Sequence, residues 1–256
     1  MERTRITESG IDIPLVSVRA AVVGSGAAAL NAAVHLRRLG VDDIAIFTER
    51  MGAGVSANAG SDKQTYYRLN PAGETGDSAR AMAARLFEGG CVHGDTALVE
   101  ASLSLVEFHH LALLGVGFPF DRHGSFASYR TDHDERARGA SAGPGTSIMM
   151  YEKLRDEAAL LGIPVLEGLS LIDIATVGPP GSRRAAGFVA IGASSPPAGG
   201  YGLTAVRADF LVLGTGGPGA LYADSVYPDT QAGSLGAALA AGAAARNLSE
   251  SQFGIA

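Results

Sequence analysis

Eight residues near the start of the chain, Val22 to Ala29 (VVGSGAAA), set two glycines and a small residue in the order G-x-G-x-x-A. What flanks them matters more than the pattern itself. Leu15 to Val23 is apolar and β-branched, as in a strand buried on both faces of a parallel sheet. Ala27 to Leu39 is rich in Ala and Leu, carries His35, Arg37 and Arg38 towards its end and is closed by Gly40. It predicts a helix with cations in its last turn. Asp43 to Thr48 predicts the next strand, completing a right-handed βαβ unit. In such a unit Gly24 makes the turn, Gly26 lets a pyrophosphate approach the backbone, and Ala29 and Ala33 allow close helix packing. The amides opening the helix then face the phosphate. Glu49 ends the second strand 25 residues after Gly24, near the spacing at which an acid accepts hydrogen bonds from an adenosine ribose. The alternative is an Ala/Gly turn used only for packing.

The glycine pattern by itself does not choose between FAD and NAD, since both present an ADP half to the turn. The C-terminal half favours FAD: Asp209 to Gly217 (DFLVLGTGG) is a second buried strand running into a second glycine turn, after a hairpin-like stretch from Gly187 to Val206. Between the halves, Glu49 to Glu74 reads as a long loop, and loops of that length in compact domains are usually functional. Helices are predicted at Ser78 to Gly89, at Asp95 to Leu114 with Asp95 as N-cap and Gly115 as stop, and at Thr146 to Leu161. Phe118 to Gly145 reads as irregular and polar. Short strands are predicted at Pro164 to Leu166, Ser170 to Val177, Gly187 to Gly192 and Leu203 to Leu213, with a final helix from Ser234 to Arg246. The fold class is α/β: a Rossmann-like FAD/NAD(P)-binding fold, its central parallel sheet flanked by helices and a small β-meander. Residues 1–14 read as a polar tail and residues 15–256 as one domain, with no linker dividing them.

Composition narrows the function classes. Glycine occupies 35 of 256 positions but follows no G-X-Y period, which excludes collagen. A net charge of -6 and the lack of any basic stripe argue against nucleic acid as a partner. No apolar run is long enough for a membrane span and Met1 to Val23 is not a signal peptide, so a soluble, cytoplasmic protein is expected. The single Cys91 excludes an internal disulfide or a multi-thiolate metal site and reads as a buried apolar thiol.

With these motifs in place, the sequence resembles the flavoprotein family of succinate dehydrogenase, fumarate reductase and L-aspartate oxidase, from about Arg19 onwards. The resemblance rests on the glycine turn with Glu49, and on Val55-Ser56-Ala57-Asn58-Ala59-Gly60 against V-S-A-Q-G-G. It rests further on Gly94-Asp95 opening a helix, Leu114 to Phe120 against L-G-x-P-F, Leu213 to Gly217 against A-T-G-G, and Gln252-Phe253 against Q-F-H-P-T. It implies bound FAD and hydride transfer between the flavin and a small, usually carboxylate-bearing, substrate. Carried over, Gly24, Ser25, Gly26, Ala27, Ala28 and Ala29 meet the pyrophosphate, and Glu49, with Arg50 beside it, meets the adenosine ribose. Ser56, Ala57, Gly60 and Ser61 line the isoalloxazine and ribityl chain, the backbone at Leu171 borders the adenine, and Thr215, Gly216 and Gly217 pack on the cofactor.

The departures carry information too. Ala53 stands where succinate dehydrogenases have the histidine bonded to the flavin, which implies non-covalent FAD. Gln231-Ala232-Gly233-Ser234 replaces T-G-D-G, so that cofactor contact is either missing or made more weakly by Ser234, and Gly254 and Ala256 stand where His and Thr hold a substrate carboxylate. Family members continue into a capping domain with the catalytic arginine, so a missing part or a second chain is expected to complete the site. Within this chain Lys63 and Arg68, after the flavin loop, are candidates to stabilise reduced flavin, and Arg130 to bind an anionic substrate. Asp132 to Glu135 reads as a solvated loop rather than a metal site, and the His109-His110 pair as packing or surface residues. A non-catalytic FAD- or ADP-binding scaffold, active only with a partner chain, is the alternative.

Overall fold

The computed structural model describes residues 1–58, 64–73, 76–89, 93–131, 134–179, 181–192, 201–219, 227 and 233–245. Its first element is an antiparallel pair, β1 (Glu2–Glu8) and β2 (Ile11–Val23), joined at Ser9 and Gly10, which both have positive φ (48° and 80°). Such a two-residue turn matches the twist of paired strands. The polar stretch expected to lack regular structure therefore carries a strand, and β2 begins four residues before the expected Leu15. Every residue of β1 is exposed, so it shows no apolar alternation, and its charges protect a sheet edge.

After β2 the chain follows the expected path through α1 (Ala27–Arg38) to β3 (Ile44–Thr48), which pairs parallel with the last residues of β2. Helix α1 buries Ala29, Leu30, Ala33 and Val34, while all five residues of β3 are buried. Two short elements lie within the loop expected from Glu49 to Glu74: a helical turn, α2 (Val55–Asn58), and the two-residue strand Tyr66–Tyr67, which has a pairing partner far along the chain.

Residues 60–153 belong to a second compact unit; the first consists of residues 1–59 and 154–244. No linker signals this division because the second unit is an insertion between β3 and the remaining strands of the sheet. It holds β4 (Tyr66–Tyr67), α3 (Ala79–Glu88), α4 (Gly94–Leu113), β5 (Tyr129–Thr131) and β6 (Asp134–Ala140), with the three strands in the order β4-β6-β5. Strands β5 and β6 replace part of the irregular region expected from Phe118 to Gly145. Ser78 caps α3 by accepting from the Ala81 amide. At α4 the cap is His93, whose Nδ1 accepts from the Asp95 amide, in place of the expected Asp95. The Asp95 side chain is itself 98% exposed. Met82 and Ala83 pack on Ala97 and Ala101 between these helices.

The division falls inside α5 (Thr146–Leu160). Beyond it β7 (Val165–Glu167) pairs parallel with β3, and β8 (Leu169–Val177), β9 (Arg184–Gly192) and β10 (Leu203–Leu213) form an antiparallel meander. Strand β10 then continues parallel to β2, giving a sheet in the order β7-β3-β2-β10-β9-β8 with β1 beside β2. Val16, Val18, Phe47, Phe188 and Val206 form its core, with Phe47 and Phe188 edge to face at 5.3 Å. The expected final helix is only α6 (Leu235–Ala240): Ala241 caps it and Gly242 turns away at φ 97°, while Arg246 lies outside the described residues.

Candidate functional site

Two strand ends of unit one, those of β2 and β10, finish side by side because the strands pair in parallel up to Val23 and Leu213. Each runs into a glycine turn, and the two turns abut: the Gly214 amide donates to the Val23 carbonyl at 2.8 Å. Gly24 has φ 104°, and a Cβ there would stand 2.3 Å from the Gly214 oxygen; one on Gly214 would stand 2.6 Å from the Ala29 Cβ. Only glycine fits this contact.

Above the turns opens a cavity of about 450 Å³. Its walls include Gly24, Ser25, Gly26, Ala27, Ala28, Glu49, Arg50, Ser56, Leu171, Thr215, Gly216 and Ser234, residues drawn from separate stretches of sequence. Ala29 is fully buried beneath, while Ala57 and Gly217 do not line it. Gly60, Ser61 and Lys63 lie outside the described residues, as does Cys91. Phe47, Thr48, Ala53, Gly54, Val55, Leu169, Gly214 and Gly233 belong to the lining as well.

Local bonds hold these walls. Helix α1 begins at Gly26, which has no side chain to cap it, so its first-turn amides are left to acceptors from elsewhere. Ser56 Oγ accepts from the Ala27 amide at 2.9 Å. Ser25 Oγ meets Thr48 Oγ1 at 2.9 Å in a buried contact that fastens the turn to the end of β3. Thr215 Oγ1 and Ser234 Oγ are 2.6 Å apart, so Ser234, read as a cofactor contact, is tied to the second glycine turn. Ser170 Oγ donates to Glu49 Oε1 at 2.5 Å. Sequence reasoning missed Ser170 and Thr48; with partners 121 and 23 residues away, neither leaves a local signal.

The donor set suits an adenine dinucleotide. Amides at the start of α1 suit a pyrophosphate, Glu49 suits ribose hydroxyls, and Leu169 and Leu171 supply an apolar wall for a planar base. Among the described residues, Glu49 and Arg50 are the only titratable members of the lining, and none is His, Cys or Tyr.

A model of the family described as FAD binding domain matches residues 19–256. The chain belongs to the FAD-binding domain family. FAD is the cofactor of that domain, and the glycine turns and acid described above fit it. A point variant of Escherichia coli quinol fumarate reductase FrdA superposes with a TM-score of 0.72 at 21% identity, covering 88% of this chain and 37% of that one. Mycobacterium smegmatis Sdh1 in complex with UQ1 gives 0.66 at 20%, covering 81% and 35%. The 3-ketosteroid-Δ4-(5α)-dehydrogenase of Rhodococcus jostii RHA1, in complex with 4-androstene-3,17-dione, gives 0.67 at 20%, covering 90% and 55%. At these identities the likeness is one of fold, and the chain spans well under two thirds of each structure. No curated protein matches the chain.

The remaining candidates lie in unit two. Arg68 is buried: it donates to the Leu69 carbonyl and to Ser128 Oγ, and its guanidinium lies 4.3 Å over the Phe108 ring. Burial pulls it below its ordinary pKa. Arg130 is exposed and lines a cavity of about 640 Å³ with Asn70, Tyr129, Glu135 and Arg136. Asp134, expected in a solvated loop, is instead buried with Arg138, which reaches Asp134 at 2.9 Å and Asp77 at 2.6 Å. Asp132 and His133 lie outside the described residues. Burial alone would raise the Asp77 carboxyl, but bonds from Arg138 and the Asn70 and Ser78 amides outweigh it and hold it below the usual range. Asp134 is likewise held down, against burial, by Tyr67, the Arg136 amide and Arg138. Burial, and then the bond to Asp134, push the Tyr67 phenol up to about 12.

Proposed function

We propose that the chain is the FAD-binding portion of a flavin-dependent oxidoreductase that transfers hydride between non-covalent FAD and a small, carboxylate-bearing substrate. The observation that carries this reading is the cavity of unit one, which gathers the turn, the acid and the second glycine strand on one set of strand ends. When bound, FAD supplies the hydride chemistry. The chain's residues bind and orient it: the α1 amides take the pyrophosphate, Glu49 and Arg50 the ribose end, and Ser56, Thr215 and Ser234 contribute further polar lining. Ala53 lines this cavity, and among the described residues no lining side chain offers a ring nitrogen, thiol or phenol for a covalent flavin bond, which supports non-covalent binding.

A second observation favours dependence on a further part. Among the described residues Glu49 and Arg50 are the only ionisable members of the lining, and in this reading both serve the adenosine ribose. We therefore assign proton transfer and the substrate lid to another segment or a partner chain; the alternative is a non-catalytic FAD- or ADP-binding scaffold that is active only with such a partner. Visible spectra of the purified protein with added FAD test the assignment. Oxidised-flavin bands that leave with the supernatant on acid precipitation are expected. A protein that takes up NADH but ignores FAD would overturn it.

A further inference from the structure

Glu49 does not stand alone at the ribose end. Its carboxylate receives the Ser170 hydroxyl at 2.5 Å, within the range of charge-assisted O–H···O⁻ bonds, across 121 residues of sequence. Its backbone carbonyl accepts from the Gly168 amide at 3.0 Å, so the start of β8 holds both the main chain and the side chain of this residue. Leu169 and Leu171, on either side of Ser170, line the cavity, whereas Ser170 does not. One three-residue stretch thus combines an apolar wall with a hydroxyl that grips the acid.

We infer that Ser170 is a positioning residue for adenosine recognition, resting on the FAD reading above. A glutamate side chain has three rotatable torsions and loses conformational entropy when it is held in one geometry for a ligand. Occupying Oε1 fixes that geometry in advance and leaves Oε2 for the ribose hydroxyls, so the ordering cost is met in the folded protein rather than on binding.

The test compares Ser170→Ala and Ser170→Thr with the wild type, titrated with FAD and, separately, with FMN, which lacks the adenosine half. Ser170→Ala is expected to bind FAD roughly tenfold more weakly, as for a lost hydrogen bond to a charged group, with FMN affinity unchanged. Ser170→Thr, which keeps the hydroxyl, restores FAD binding. Equal FAD affinity in wild type and Ser170→Ala, or parallel loss of FAD and FMN, would overturn the inference while leaving the flavin assignment intact. A wild-type chain that binds no FAD removes the assignment and this inference together.

Discussion

At the scale of single residues, the first glycine turn is held by exclusion as much as by attraction. Gly24→Ala places a methyl group against the Gly214 carbonyl and demands a left-handed backbone from alanine. It is expected to cost more than about 2 kcal/mol and to lower FAD affinity, read from urea unfolding and flavin titration. The Arg138 guanidinium is a different case. It is 2% exposed and is the cation for two carboxylates that are 2% and 8% exposed. Arg138→Met keeps the stem and strands both acids, a loss of about 3–5 kcal/mol by the measured behaviour of broken buried pairs. A shift of the urea midpoint at unchanged slope is the expected result.

Among the elements, α4 shows how unevenly an apolar helix is used. Ala97, Ala101 and Phe108 are buried, while Val99, Leu103 and Val106 are about half exposed. Ala101→Leu is therefore expected to destabilise by about 1–3 kcal/mol through overpacking against Met82 and Ala83. Val99→Gln is expected to stay within about 0.5 kcal/mol, and thermal melts of the pair separate the two faces. Helix ends follow local rules only in part. Ser78 caps α3 as its residue type predicts, so Ser78→Ala is expected to cost about 1 kcal/mol. At α4 an imidazole nitrogen takes the place of the more usual aspartate oxygen, which residue-type preference does not anticipate.

For the molecule as a whole, the two units carry different kinds of core: aliphatic and aromatic packing along the large sheet, and in the inserted unit a small helix contact beside a buried ionic cluster. Asp77 and Asp134 are depressed in the folded state, so their stabilisation is complete above the unfolded carboxylate value near 4 and is lost as pH falls through the folded values. Acid below about pH 4 is expected to remove amide-exchange protection from β6 and α3 before it does so from β2 and β3, a test suited to pulsed hydrogen exchange. The amino-acid order alone determined the strand, glycine turn, helix and strand up to Thr48 with Glu49 after them, and also helices α3, α4 and α5 and strand β10, which runs over Leu203–Leu213 as the sequence predicts. Those features depend on spacings of a few residues, which hydrophobic period and steric size express directly. Tertiary structure decided the rest: that exposed β1 pairs at all, that polar Asp134 and Arg138 are core residues, that residues 60–153 form an insertion, and that Ser170 meets Glu49. Each of these depends on a partner outside the local window, and a hydrogen bond or ion pair between distant residues imprints no periodicity on either segment.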